Sequence, residues 1–217
     1  VAKAGTDKEA KKALEVLAIY KNHLEQGKSA RSADVSDDDK RFITDIFLLT
    51  AKPVMYVCNV DEASVLTGNT LVDQLKESIK DENAEVLVIA AAIEAEISML
   101  ESFDDRKAFL SDLGLEESGV TKLIRAAYRL LNLQTYFTAG EKEVRAWTIT
   151  KGMLAPQAAA VIHTDFEKGF IKAEVIHYQD FLKYGSESGC RDAGKLSIEG
   201  KEYLVDDGDI MHFRFNV

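Results

Sequence analysis

Long apolar runs are missing from this sequence: nowhere in its 217 residues do about 18 apolar residues follow one another, so no segment reads as a membrane-spanning helix. The opening stretch VAKAGTDKEAKKA also lacks the apolar core of a signal peptide. It starts with Val rather than Met, which reads as a chain processed or cut from something longer. Cysteine is scarce, with Cys58 and Cys190 far apart in sequence, so reduced thiols of a cytoplasmic protein are the expectation. The four histidines, His23, His163, His177 and His212, form neither an HExxH pattern nor a spacing with paired cysteines, so no metal site is read from them. Cations are short too, with a formal net charge of −10. Residues 1–50 balance to zero, 51–133 carry −7 and 134–217 carry −3. That acidic middle disfavours phosphate-backbone binding and sequence-specific DNA recognition.

One fragment of a phosphate-binding loop is present, Gly27-Lys28-Ser29. The full GxxxxGK[S/T] pattern needs glycine where Asn22 stands, and a buried strand ahead of it. The preceding residues instead repeat at helical steps (Ala10, Ala13, Leu14, Leu17, Tyr20, Leu24), which makes Gly27 the residue that ends a helix. Ser36 followed by three aspartates reads as a second helix start. Phe42, Ile43, Ile46, Phe47 and Leu49 are its apolar stripe, and the two helices form a hairpin.

The middle changes character. PVMYVC (53–58) and VLVIAA (86–91) are apolar runs of strand length, covered on both faces, and the helix between them carries Leu71, Val72, Leu75 and Ile79. Strand, helix, strand predicts a parallel pair, with ligands outside the strands' carboxyl ends. Asn59-Val60-Asp61-Glu62 and Ala91–Glu94 fall there. Helices follow over 104–113 and 119–132. Beyond residue 134 come a strand at 144–149, a helix through QAAAVIHTDF with Pro156 in its first turn, a strand at 170–176, and a hairpin of EYLVD and DIMHFRFNV around Asp207-Gly208. Met211, Phe213, Phe215 and Val217 share one face, and the whole suits a β-grasp of the α+β class. His163-Thr164-Asp165 has no nucleophile beside it and reads as packing. Asp104-Asp105 and Glu116-Glu117 read as solvated helix starts, and Trp147 as core.

At NLQTYFTAGEKEVRAWTI (132–149), APQAAAVIHTDFEKGFIKAEVI (155–176) and DDGDIMHFRFNV the chain closely resembles the YchF family of Obg-like P-loop ATPases. That resemblance implies an α/β plus α+β organisation. Residues 1–50 would be the end of a helical insertion, 51–131 the remnant of a parallel-sheet nucleotide-binding domain, and 132–217 a ubiquitin-like β-grasp TGS domain. The family's phosphate loop, switches and magnesium ligands have no matching positions, since neither GxxxxGK[S/T] nor DxxG occurs here; Mg2+ is therefore expected only with an upstream part, and no catalytic residue is carried over. At the NKxD loop of guanine-reading relatives stand Asn59, Val60, Asp61 and Glu62, a departure the resemblance associates with ATP, GTP being weaker. Ala91 and Ala92 resemble the second base-contacting loop, where backbone N–H groups approach the base. The implied partners are ATP and the ribosome, in the cytoplasm. The alternative is a non-enzymatic TGS-type module that contacts ribosomal protein or RNA; a regulatory TGS domain like those of threonyl-tRNA synthetases would leave the Asn59 loop unexplained.

Overall fold

A computed structural model describes residues 8–82, 84–140 and 143–216, and its contacts divide the chain after Leu130 into two compact units. In the first, helix α1 (Lys8–Glu25) buries Val16 and Tyr20 and stops as the spacing predicts. Gly27 takes φ +75° and donates its N–H to the Leu24 carbonyl at 2.9 Å, a conformation that costs glycine little. Ser36 caps α2 (Asp37–Lys40) as expected, accepting from the Asp39 N–H at 3.2 Å. The second arm of the hairpin is nonetheless no long helix. After four residues it tightens into 3-10 turns over Arg41–Ile46 and Leu49–Ala51, with Phe47 left-handed between them at φ 52°. FITDIF is made of aromatic and β-branched residues and Asp, all weak helix formers, and Thr44 bonds its hydroxyl back to the Arg41 carbonyl at 3.2 Å. Of the predicted stripe only Ile43 is buried, while Phe47 is 84% exposed. The arm has a small core of Val16, Tyr20, Ala30 and Ile43.

Strand β1 (Met55–Asn59) pairs in parallel with β2 (Glu85–Ile89) across helix α3 (Thr70–Ser78), from Met55 opposite Glu85 to Asn59 opposite Ile89. Asn69 caps α3, accepting from the Leu71 and Val72 N–H groups. Burial on both faces is only partial, for Val57 is 42% exposed. The second strand also ends two residues earlier than its apolar run suggests, and Ala91 opens helix α4 (Ala91–Met99). An apolar run does not by itself separate strand from buried helix, and AAIEAEISM is rich in the strong helix formers Ala and Glu. Helices α5 (Phe103–Asp112) and α6 (Gly119–Leu130) follow, with Ser102 capping α5. Ala90, Ile93, Ile97 and Leu115 form a second small core.

The second unit runs β3 (Leu133–Ala139), β4 (Val144–Thr150), α7 (Ala155–Ile162), α8 (Thr164–Lys168), β5 (Phe170–Ile176), α9 (Tyr178–Tyr184), α10 (Glu187–Asp192), β6 (Leu196–Glu199) and β7 (Ile210–Phe215). Its five strands lie in the order β4-β3-β7-β5-β6, so the last strand is central. The expected EYLVD hairpin is wrong. β7 pairs antiparallel with β5 and meets β3 in parallel at Phe137 opposite Ile210, and EYLVD contributes only a bridge from Leu204 to Leu154. Tertiary bonds override the turn's local preference: the Thr135 N–H donates to Asp207 at 2.8 Å, the Gly208 N–H to the Thr135 carbonyl at 2.7 Å, and the Phe137 N–H to the Asp209 carbonyl at 2.7 Å. The predicted helix breaks at His163, which accepts the Asp165 N–H at 3.2 Å and starts α8, so this histidine caps rather than packs. Pro156 does sit in the first turn of α7. Met211 and Phe213 are buried, Phe215 stacks on Phe166 at 3.8 Å, and Val217 lies outside the described residues. Trp147 is half-buried against the core, its indole donating to Thr138 at 2.9 Å beneath Arg145. Eleven residues make up this core, against four in each core of the first unit.

That difference predicts stronger hydrogen-exchange protection over residues 134–216 than over 51–92. Uniformly high protection of β1 and β2 in a monomeric sample would contradict it. A second prediction concerns Gly169, whose carbonyl accepts the Asn216 N–H at 2.9 Å. A Cβ there would run into the main-chain carbonyl of Asn216, so Gly169→Ala should destabilise the second unit by about 1–3 kcal/mol. Urea unfolding with an unchanged midpoint would refute this.

Candidate nucleotide-base site

The two segments expected at the ligand edge do meet. Asn59 is the last residue of β1 and Ala91 the first of α4, and the Asn59 Oδ1 accepts the Ala91 N–H at 2.9 Å. Parallel pairing sets this up by placing Asn59 opposite Ile89, two residues before the helix begins. The Val60 N–H donates to the Ile89 carbonyl at 2.9 Å, which carries the pairing one residue past the strand. Asp61 then turns the chain, its carboxylate accepting the Ser64 N–H at 2.9 Å at the start of the 3-10 turn Glu62–Ser64. Its role is that of a cap. Glu62 is exposed in the first turn of that segment.

The side chains therefore divide by task. Because a backbone N–H can only donate, the Asn59 carboxamide must turn its oxygen to Ala91, which leaves its NH2 group as the donor available to a ligand. Ala92 and Ile93 carry the other first-turn N–H groups of α4, for which a helix supplies no acceptor of its own. Ala91 and Ala92 are both exposed and end at Cβ, so a planar group can come close to the backbone there.

The sequence reading did not single out Glu94 or Gly119. The Glu94 carboxylate leaves the first turn of α4 and accepts the Gly119 N–H at 2.6 Å and the Val120 N–H at 3.2 Å, both at the start of α6. A carboxylate three residues after the loop was the available signal, but nothing local tells which helix such a side chain will cap. Among the described residues no group of three His, Cys, Asp or Glu side chains could hold a metal ion. No helix among them is long and apolar enough to cross a membrane.

Comparison with known proteins gives the site its context. The family model YchF-GTPase_C, described as a protein of unknown function (DUF933), matches residues 133–216. The ribosome-binding ATPase YchF of Bacillus subtilis is 49% identical over 213 residues, 97% of this chain and 58% of that protein. Its counterpart from Haemophilus ducreyi is 53% identical over 216 residues, 100% of this chain and 59% of that protein. The YchF GTPase structure from Schizosaccharomyces pombe is 36% identical and superposes with a TM-score of 0.85, covering 99% of this chain and 57% of that one. The chain thus spans less than two thirds of the length of the relatives it matches. With about half of its residues identical to theirs along nearly its whole length, and with the fold of the solved member, the chain belongs to the YchF family.

Proposed function

We propose that this chain is part of a ribosome-associated ATPase and that it supplies the surface that reads the nucleotide base, with ATP preferred over GTP. The observation that carries this reading is the Asn59–Ala91 bond, which joins the end of β1 to the start of α4 at the carboxyl end of a parallel strand pair. The Asn59 NH2 group is a donor for N7, an acceptor on either purine, so discrimination falls to the neighbouring residues. A Glu62 carboxylate accepts from adenine's exocyclic amino group, while its extra methylene carries it past the place from which a shorter Asp accepts guanine's two N–H donors. Val60 sets an apolar side chain beside the base, and Ala91 and Ala92 bring the start of α4 toward it. The names of the relatives support the ATPase and ribosome parts of this reading.

The second unit is read as a TGS-type interaction domain: a helix packs across a mixed five-stranded sheet whose last strand lies at its centre. Residues 132–217 would then face the ribosome, 51–131 the nucleotide, and 1–50 would be the arm. The described residues do not fit a magnesium site, so no step of phosphoryl transfer is assigned to them. Turnover depends on a phosphate cradle and metal ligands, and this chain by itself should hydrolyse no ATP above buffer. Turnover that survives repurification would overturn that.

Base reading is tested by calorimetric titration of the whole protein. Asn59→Ala should weaken ATP binding by about 1–3 kcal/mol, and Glu62→Asp should shift relative affinity toward GTP. Unchanged affinities for both nucleotides in both variants would remove this loop from the site.

A further inference from the structure

We infer that Glu94 is a positioning residue for base recognition: by capping α6 from outside, it fixes the turn of α4 that carries Ala91 and Ala92. This rests on the reading of Asn59, Ala91 and Ala92 as the base site. Helix α4 has only nine residues and buries only Ile93 and Ile97, so packing alone constrains its first turn weakly. Two links to other elements supply what packing does not. One is the Asn59 carboxamide on the Ala91 N–H. The other is Glu94, which stands three residues beyond Ala91 and hence on the same helix face; it reaches the Gly119 and Val120 N–H groups.

Helix α6 is a firm anchor for that second link. Its Thr121 N–H donates to the Ser118 hydroxyl at 3.1 Å, so with Glu94 the donors of Gly119, Val120 and Thr121 all have acceptors. A carboxylate also suits the positive end of the helix dipole. Gly119 is buried and leaves no room for a side chain: a Cβ would lie 2.9 Å from the Glu94 Oε1 and 2.9 Å from the Ile89 Cγ2. The start of α6 therefore presses against the end of β2, while Arg129 near its other end pairs with Glu85 at 2.6 Å, at the beginning of β2. Glu94 ties α4 to a helix that is itself fixed along the strand opposite Asn59.

Glu94→Ala should remove this link, and Glu94→Gln, which keeps one acceptor oxygen, should restore much of it. In the chain, Glu94→Ala should speed amide exchange at Gly119 and Val120 about tenfold, with Ala91 following. In the whole protein it should lower ATP affinity about tenfold and shrink the ATP-to-GTP affinity ratio, with Glu94→Gln falling between. The ratio reports on the site and not on the folded fraction, since unfolding lowers both affinities alike. A ratio within about twofold of wild type in Glu94→Ala, alongside a changed ratio or affinity in Asn59→Ala, would reduce Glu94 to a helix cap and overturn the inference. No change in either variant would instead bring down the base-site reading, and this inference with it. Should Glu94→Ala fail to fold, Glu94→Gln carries the same comparison.

Discussion

A helix begins with N–H groups that nothing inside it can satisfy, and at α4 and α6 that requirement is met from distant elements. The end of β1 supplies an acceptor to the start of α4, and α4 supplies two to the start of α6. Each link crosses 25 or more residues of sequence. The chain of caps β1, α4, α6 supplements a small core, a cluster of four buried residues. Such bonds are directional, so they fix orientation as well as proximity. The candidate base site lies where the first of these links is made.

A different polar device organises the second unit. Asp209 is 1% exposed, and its carboxylate accepts from the Tyr203 hydroxyl at 2.8 Å and the Asp206 N–H at 2.9 Å, with His177 at 2.8 Å. Burial, together with the bond to Asp209, pushes the Tyr203 phenol well above its ordinary pKa, so the hydroxyl keeps its proton and remains a donor. A buried carboxylate surrounded by donors is costly to disturb, because removing a partner leaves a buried acceptor unsatisfied. The segment it gathers delivers β7 to the middle of the sheet.

Much of this was legible in the sequence. Periodicity placed α1, and the pairing of an apolar run, a helix and another apolar run identified the parallel strands. The alternation of Met211, Phe213 and Phe215 marked a strand with one buried face. What failed did so for physical reasons that lie outside any local window. The apolar run 86–91 concealed a strand end and a helix start, because side chains buried in either look alike. Asp207-Gly208 is a strong hairpin signal, yet its bonding groups go to Thr135 and its neighbours, more than 70 residues away. The second arm forms no long helix because its apolar stripe is composed of poor helix formers, whose propensity outweighs the spacing. The meeting of Asn59 with the Ala91 segment follows from the strand ends, whereas Glu94 acts on a helix that no short motif links to it.

Strand order also bears on how the second unit comes into being. Its central strand, β7, is the last of the sheet's five in the chain, and it joins β3 to β5. Until those residues are available, the earlier strands can form only the β3–β4 hairpin and the β5–β6 pair, two fragments with exposed apolar faces and no shared centre. Contacts that close over 70 residues of chain make folding slow relative to helical units of similar size, and domains tend to fold as they are completed during synthesis. Assembly of this sheet is therefore a late, single event, gated by the arrival of its central strand.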